Sequence, residues 1–166
     1  MFGPRGTGKS TWLRARYAGV LWIDLNDPEN TRFYAAAPER LRATIAANPR
    51  MRPVVIDEVQ RVPELLPVVH QLIELDKSLV FVLTGSSARK LRRTGVDLLA
   101  GRAVLTTMHP FLAAELGDSF DLDQALTLGT LPLIADADDA HNTLRTYTAL
   151  YVREEVQAEG LVRNVG

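Results

Sequence analysis

At 166 residues the chain is long enough for one domain with a sizeable core. Hydrophobic residues make up 46% of it and charged residues 23%, and the formal net charge is −1. No global charge therefore argues for nucleic acid or for an anionic membrane surface. There is no cysteine, which excludes disulfides and thiolate metal sites and fits a reducing cytoplasm; no apolar run approaches the roughly 20 residues of a membrane span.

In chain order the first element is a loop. Gly3-Pro4-Arg5-Gly6-Thr7-Gly8-Lys9-Ser10, followed by Thr11, fits the spacing G-x-x-x-x-G-K-[ST] at every fixed position. This P-loop (Walker A) pattern has a mechanism: glycines let the backbone fold tightly so that successive N–H groups face a phosphate. A helix beginning near Lys9 aims its positive end at the same anion. Lys9 would reach the β- and γ-phosphates, and the Ser10 hydroxyl would take one position on Mg²⁺. The spacing predicts that helix over 9–18, stopped by Gly19. Val20 to Ile23 reads as a buried strand ending at Asp24, Asn26-Asp27-Pro28 as a turn, and 38–47 as a modest helix carrying Leu41 and Ile45.

Pro53 to Ile56 is the next predicted strand, running directly into Asp57-Glu58. A stronger helix follows over 65–76, with Leu65, Val68, Val69, Leu72 and Ile73 on one stripe and Pro67 tolerated in its first turn. Leu79 to Leu83 is a third apolar strand, ending at Thr84-Gly85-Ser86-Ser87. A basic helix over 88–93 and a weaker strand over 102–107 come next. After Pro110 the pattern is helical only, over 112–116, 122–128 and 139–159. Continuous apolar strands alternating with helices predict an α/β fold: a parallel sheet flanked by helices, with an all-helical C-terminal segment. Residues 1–110 would form the nucleotide-binding core and 111–166 a helical lid or linker.

In open parallel sheets ligands gather at the carboxyl ends of the strands, and each polar cluster of this sequence sits at such an end. Asp57-Glu58 has the Walker B arrangement. Asp57 would hold Mg²⁺, usually through water, and Glu58 would orient and polarise an attacking water. Thr84 or Ser86 could hold that water or the γ-phosphate, Ser86 or Ser87 serving equally well as a helix N-cap. Arg102 could contact a γ-phosphate of its own site or a neighbour's, or else form an exposed salt bridge. The basic cluster of Arg89, Lys90, Arg92 and Arg93 reads as a solvated helix face, with nucleic-acid contact the unsupported minority reading. His70, His109 and His141 lack metal-ligand spacing, and Trp12 and Trp22 are expected in the core or at its margin.

Together, Gly3–Ser10, Val54 to Pro63, Leu83 to Ala88, Leu98 to Arg102, His109-Pro110 and Gly129-Thr130-Leu131-Pro132 resemble the bacterial and archaeal AAA-type ATPases that carry a further C-terminal domain of unassigned function. The resemblance covers nearly the whole chain. It implies ATP binding with Lys9, Ser10, Asp57 and Glu58 in the usual roles and a sensor at Thr84 or Ser86, and it names no substrate. Against that family this sequence lacks the C-terminal domain and the strand before the P-loop. That strand lies between the ones ending at Ser86 and near Thr107, so the fold would have its central first strand missing. A fragment, a misplaced start codon or a degraded gene would each account for this. The expectation is then that the two flanking strands gape or close against each other, with the P-loop poorly held.

The sequence therefore predicts a cytoplasmic ATPase using ATP and Mg²⁺ to do conformational work on a protein partner or its own C-terminal domain, its oligomeric state open. The alternatives are a non-catalytic or degenerate nucleotide-binding interaction module and a small-molecule P-loop kinase. Asp57-Glu58 favours water over a substrate hydroxyl as acceptor.

Overall fold

The computed structural model describes residues 1–86 and 102–151. Met1–Arg5 and Lys9–Met108 make one compact unit, and Gly6–Gly8 group with the chain from His109 onward in a second. The predicted helix over 88–93, with its four basic residues, lies outside the described residues, as do Ser87 and the end of the predicted helix beyond 151.

The first unit is a three-stranded parallel sheet in the order β1-β2-β3, with β1 at Leu21–Asp24, β2 at Val54–Asp57 and β3 at Phe81–Leu83. Leu21 pairs with Val54 and Asp24 with Asp57; Val54 pairs with Phe81 and Ile56 with Leu83. All four residues of β2 are buried, as expected of a strand covered on both faces. Alternation along β2 divides the apolar contacts. Val54 and Ile56 join one cluster with Leu21 and Ile23 of β1, Leu41 and Ile45 of α3 (Arg40–Ala47), and Leu65, Leu66, Val69 and Leu72 of α4 (Leu65–Leu75). Val55 and Leu13 of α1 (Lys9–Arg16) are buried outside that cluster. Each such leucine or valine contributes about 1.5–3 kcal/mol by leaving water.

In this unit the largest differences from expectation are two. The turn at Asn26-Asp27-Pro28 opens a helix, α2 (Pro28–Ala36). Asp27 caps it by accepting from the Glu29 N–H, and Pro28 stands at its first position, where a missing N–H costs nothing. Tyr34 is the residue α2 buries, so the helix has no apolar stripe for periodicity to detect. The predicted strand over 102–107 is reduced to one bridge at Thr107.

At that bridge the flanking segments neither gape nor close against each other. Phe2 makes parallel bridges to both Gly85 and Thr107. Its N–H donates to the Thr106 carbonyl at 2.9 Å, and its carbonyl accepts the Met108 N–H at 2.7 Å. On the other side the Gly85 N–H donates to Met1, the Gly3 N–H donates to Gly85, and the Met1 amine donates to the Leu83 carbonyl. Residues 1–3 thus stand between the two segments and anchor the start of the loop. Farther from that end Val80, Val104 and Leu105 are exposed.

The second unit is helical: α5 (Ala113–Leu116), α6 (Leu122–Leu128), α7 (Pro132–Ala135) and α8 (Ala140–Tyr151), with a 3-10 turn at Gly117–Ser119. Asp121 caps α6 by accepting from Gln124, and α8 packs against α6 and α7. Among the described residues no helix is long and apolar enough to cross a membrane.

Candidate functional site

The carboxyl ends of β2 and β3 carry a connected polar network. Thr84 follows β3, and the parallel register sets it beside Asp57, since its N–H donates to the Ile56 carbonyl at 3.0 Å. The Thr84 hydroxyl donates to Asp57 Oδ1 and accepts the Glu58 N–H at 3.1 Å. The Thr84 carbonyl then accepts the Val59 N–H at 2.9 Å. Thr84 is fully buried, Asp57 is 1% exposed and Glu58 7%.

This pinning accounts for an unusual backbone. Glu58 has φ +58° and ψ +47°, the left-handed region that costs a residue with a side chain about 1–2 kcal/mol. The twist turns the chain out of β2 into a 3-10 turn (Val59–Arg61) and lets consecutive acids serve different places. Asp57 faces Thr84. The Glu58 carboxylate meets the side-chain amide of Gln60, whose Nε2 also donates to Ser86 Oγ at 3.0 Å.

The glycine-rich loop reaches this end through its first residues. Lys9 is 5% exposed, and its Nζ donates to the carbonyls of Gly3 at 2.7 Å and Pro4 at 2.8 Å. Gly3 in turn bonds Gly85, the residue after Thr84, so the Lys9 amine and both acids lie at the same end of the sheet. Burial, and then the positive charge of Lys9, hold the Met1 amine below its ordinary range. Gly3 must lack a side chain, because a Cβ there would stand 2.0 Å from the Met108 carbonyl oxygen. Gly6 and Gly8 adopt φ of +79° and +83°, and Thr7 between them is buried. The Gly6 carbonyl accepts the N–H of Leu133 within the second unit. Ser10 is part-buried in the first turn of α1; Arg5 is also part-buried, and Thr11 is exposed.

The residues present fit a divalent cation. An ionised carboxylate as enclosed as Asp57 costs several kcal/mol unless matched, and one hydroxyl hydrogen bond is a modest match. Among the described residues no group of three or more His, Asp or Glu could hold a metal alone. The sequence-predicted ligands are Asp57, enclosed after β2, and Ser10, part-buried in α1; an ion held by them would complete its shell with water and phosphate oxygens.

Arg102 is not brought to this network. Its guanidinium pairs with Glu74 in the last turn of α4, at the amino-terminal end of β3, with both side chains exposed. This is the salt-bridge alternative of the two readings. Trp12 is also corrected, since it lies 47% exposed on α1. Trp22 is part-buried on β1 beneath the Arg14 guanidinium, 4.2 Å from its ring centre. Sequence reasoning gave no role to Gln60, whose signal was its place two residues after Glu58. It also missed Phe2, which anchors the loop through its backbone.

Comparison with known proteins agrees with this geometry. A family model described as an AAA domain matches residues 1–117. The chain belongs to that family. As an AAA domain it carries a nucleotide-binding P-loop, and its first unit holds a parallel sheet. It is also similar to uncharacterized proteins of Mycobacterium bovis and Mycobacterium tuberculosis, at 31% identity over 139 residues in each case. The match covers 78% of this chain and 29% of each relative, so this AAA domain spans less than a third of their length.

Proposed function

We propose that this AAA domain binds ATP with Mg²⁺ and hydrolyses it, and that the intact protein uses the cycle to change the conformation of a partner or of a further domain in the cytoplasm. The observation that carries this reading is the gathering of Lys9, Asp57, Glu58, Thr84 and Ser86 at one end of the sheet. Backbone N–H groups from Gly3 to Thr11, with the Lys9 amine, would bind the phosphates. Ser10 and Asp57 would hold the cation, which when bound draws charge from the β- and γ-phosphate oxygens. Glu58 would align a water and take its proton as the water oxygen bonds to the γ-phosphorus and the bond to the β-phosphate oxygen breaks. Thr84 keeps Asp57 and the Glu58 backbone in register, and Thr84 or Ser86 would serve as the γ-phosphate sensor.

A second reading is a nucleotide-responsive module without turnover. It is favoured by the Lys9 amine, which the loop's own carbonyls engage. Phosphate release and nucleotide affinity, measured for the wild-type chain and for Glu58→Gln, separate the two. Hydrolysis predicts that Glu58→Gln binds ATP as tightly as wild type and loses turnover by about 100-fold or more. Tight binding with no turnover in either protein supports the module, and no binding in either rejects both.

A further inference from the structure

Gln60 is left unexplained by the binding and hydrolysis roles, and its surroundings are specific. Its Nε2 carries two N–H groups, one directed to the Glu58 carboxylate and the other 3.0 Å from Ser86 Oγ. The orientation of the amide is forced, because a carboxylate only accepts hydrogen bonds and would repel Oε1. In that orientation Oε1 is enclosed with no hydrogen-bond partner among the described residues, a costly arrangement for a buried acceptor. It is tolerated where residue 85 has no side chain, since a Cβ on Gly85 would stand 2.4 Å from that oxygen. A surface glutamine with no task would turn its amide to water. This one gives up a hydrogen bond to join a residue of the β3 end to the acid after β2.

We propose that Gln60 is a positioning residue that holds one oxygen of the Glu58 carboxylate, leaves the other for the attacking water, and ties that carboxylate to Ser86. A shift of the Thr84–Ser86 segment on contact with a γ-phosphate is thereby passed to the group that aligns the water. The inference rests on the hydrolysis reading. It goes beyond that reading in giving a named side chain the coupling between sensor and acid.

The test is ATP turnover and affinity for a non-hydrolysable ATP analogue in the full chain, with Gln60→Met, which keeps the volume and removes both N–H groups. Misplacing Glu58 should lower kcat by about 10–100-fold while KM for ATP and analogue affinity stay within about twofold. Gln60→Glu, nearly the same shape but set as a like charge against Glu58, should lower kcat further, and it serves if Gln60→Met does not fold. Because Ser86 acts on Glu58 through that amide, Gln60→Met and Ser86→Ala together should cost clearly less in kcat than the product of their separate losses. A merely structural Gln60 would lower thermal stability and nucleotide affinity together, and its effect would multiply with that of Ser86→Ala. A wild-type chain that turns over ATP alongside a Gln60→Met variant within twofold of its kcat overturns the coupling alone. A wild-type chain without turnover overturns hydrolysis and the coupling with it.

Discussion

Two charged clusters lie at opposite ends of β3 and behave differently. At the amino-terminal end Glu74 collects Arg102, Lys77 and the more distant His70, all on exposed side chains. At the carboxyl end Asp57 and Glu58 are almost wholly buried, and the hydrogen bonds to their carboxylates come from a threonine hydroxyl and a glutamine amide rather than from cations. The exposed cluster neutralises its own charge, and water and salt screen what remains. The buried pair stands where a charge is costly unless it is matched. Under the proposed function the carboxyl end would receive the cation and the triphosphate, whereas the Glu74 end is a surface feature.

The contrast can be broken first at Thr84. Thr84→Val keeps the shape and strands two buried groups, the Asp57 carboxylate and the Glu58 N–H. Urea denaturation should give a loss of about 2–4 kcal/mol. A loss below about 1 kcal/mol would mean the network is wetter and looser than its burial implies. Asp27 is the intermediate case, an exposed carboxylate bonded to a backbone N–H at the start of α2. Asp27→Ala should cost about 1 kcal/mol in the same measurement. An effect as large as that of Thr84→Val would show that a backbone partner matters more than burial.

The smallest effect belongs to Glu74→Gln. Its hydrogen bond from Lys77, and next that from Arg102, hold the Glu74 carboxyl below the usual carboxylate range. A lowered folded-state pKa stabilises above the unfolded value, and that contribution fades as pH falls through the folded one. Wild type should therefore melt only slightly above Glu74→Gln near neutrality, and the two curves should converge in acid. A gap that widens on acidification would reverse the assignment.

Much of this was legible in local patterns. The G-x-x-x-x-G-K-[ST] spacing announces a phosphate loop because its glycines and lysine do their work within eight consecutive residues. Apolar runs ended by Asp57 and by Thr84 announce parallel strands and place their polar ends. Element boundaries moved by a residue or two, as at β1 (Leu21–Asp24), where pairing with β2 rather than hydropathy decides the limits. The α2 helix was readable from Asp27 and Pro28 as a cap and a first position, but its lack of an apolar face hid it.

What the amino-acid order determined unaided was the inventory: a phosphate loop, two consecutive acids after a buried strand, hydroxyls after the next. Which of these meet was decided only by the fold, because parallel pairing brings together residues 26 or 27 positions apart, such as Glu58 with Thr84 and Asp57 with Thr84. The left-handed turn at Glu58, the amide of Gln60 between Glu58 and Ser86, and the pairing of Arg102 with Glu74 are all of this kind. Each depends on distances across strands and helices, and no spacing along a single segment encodes them.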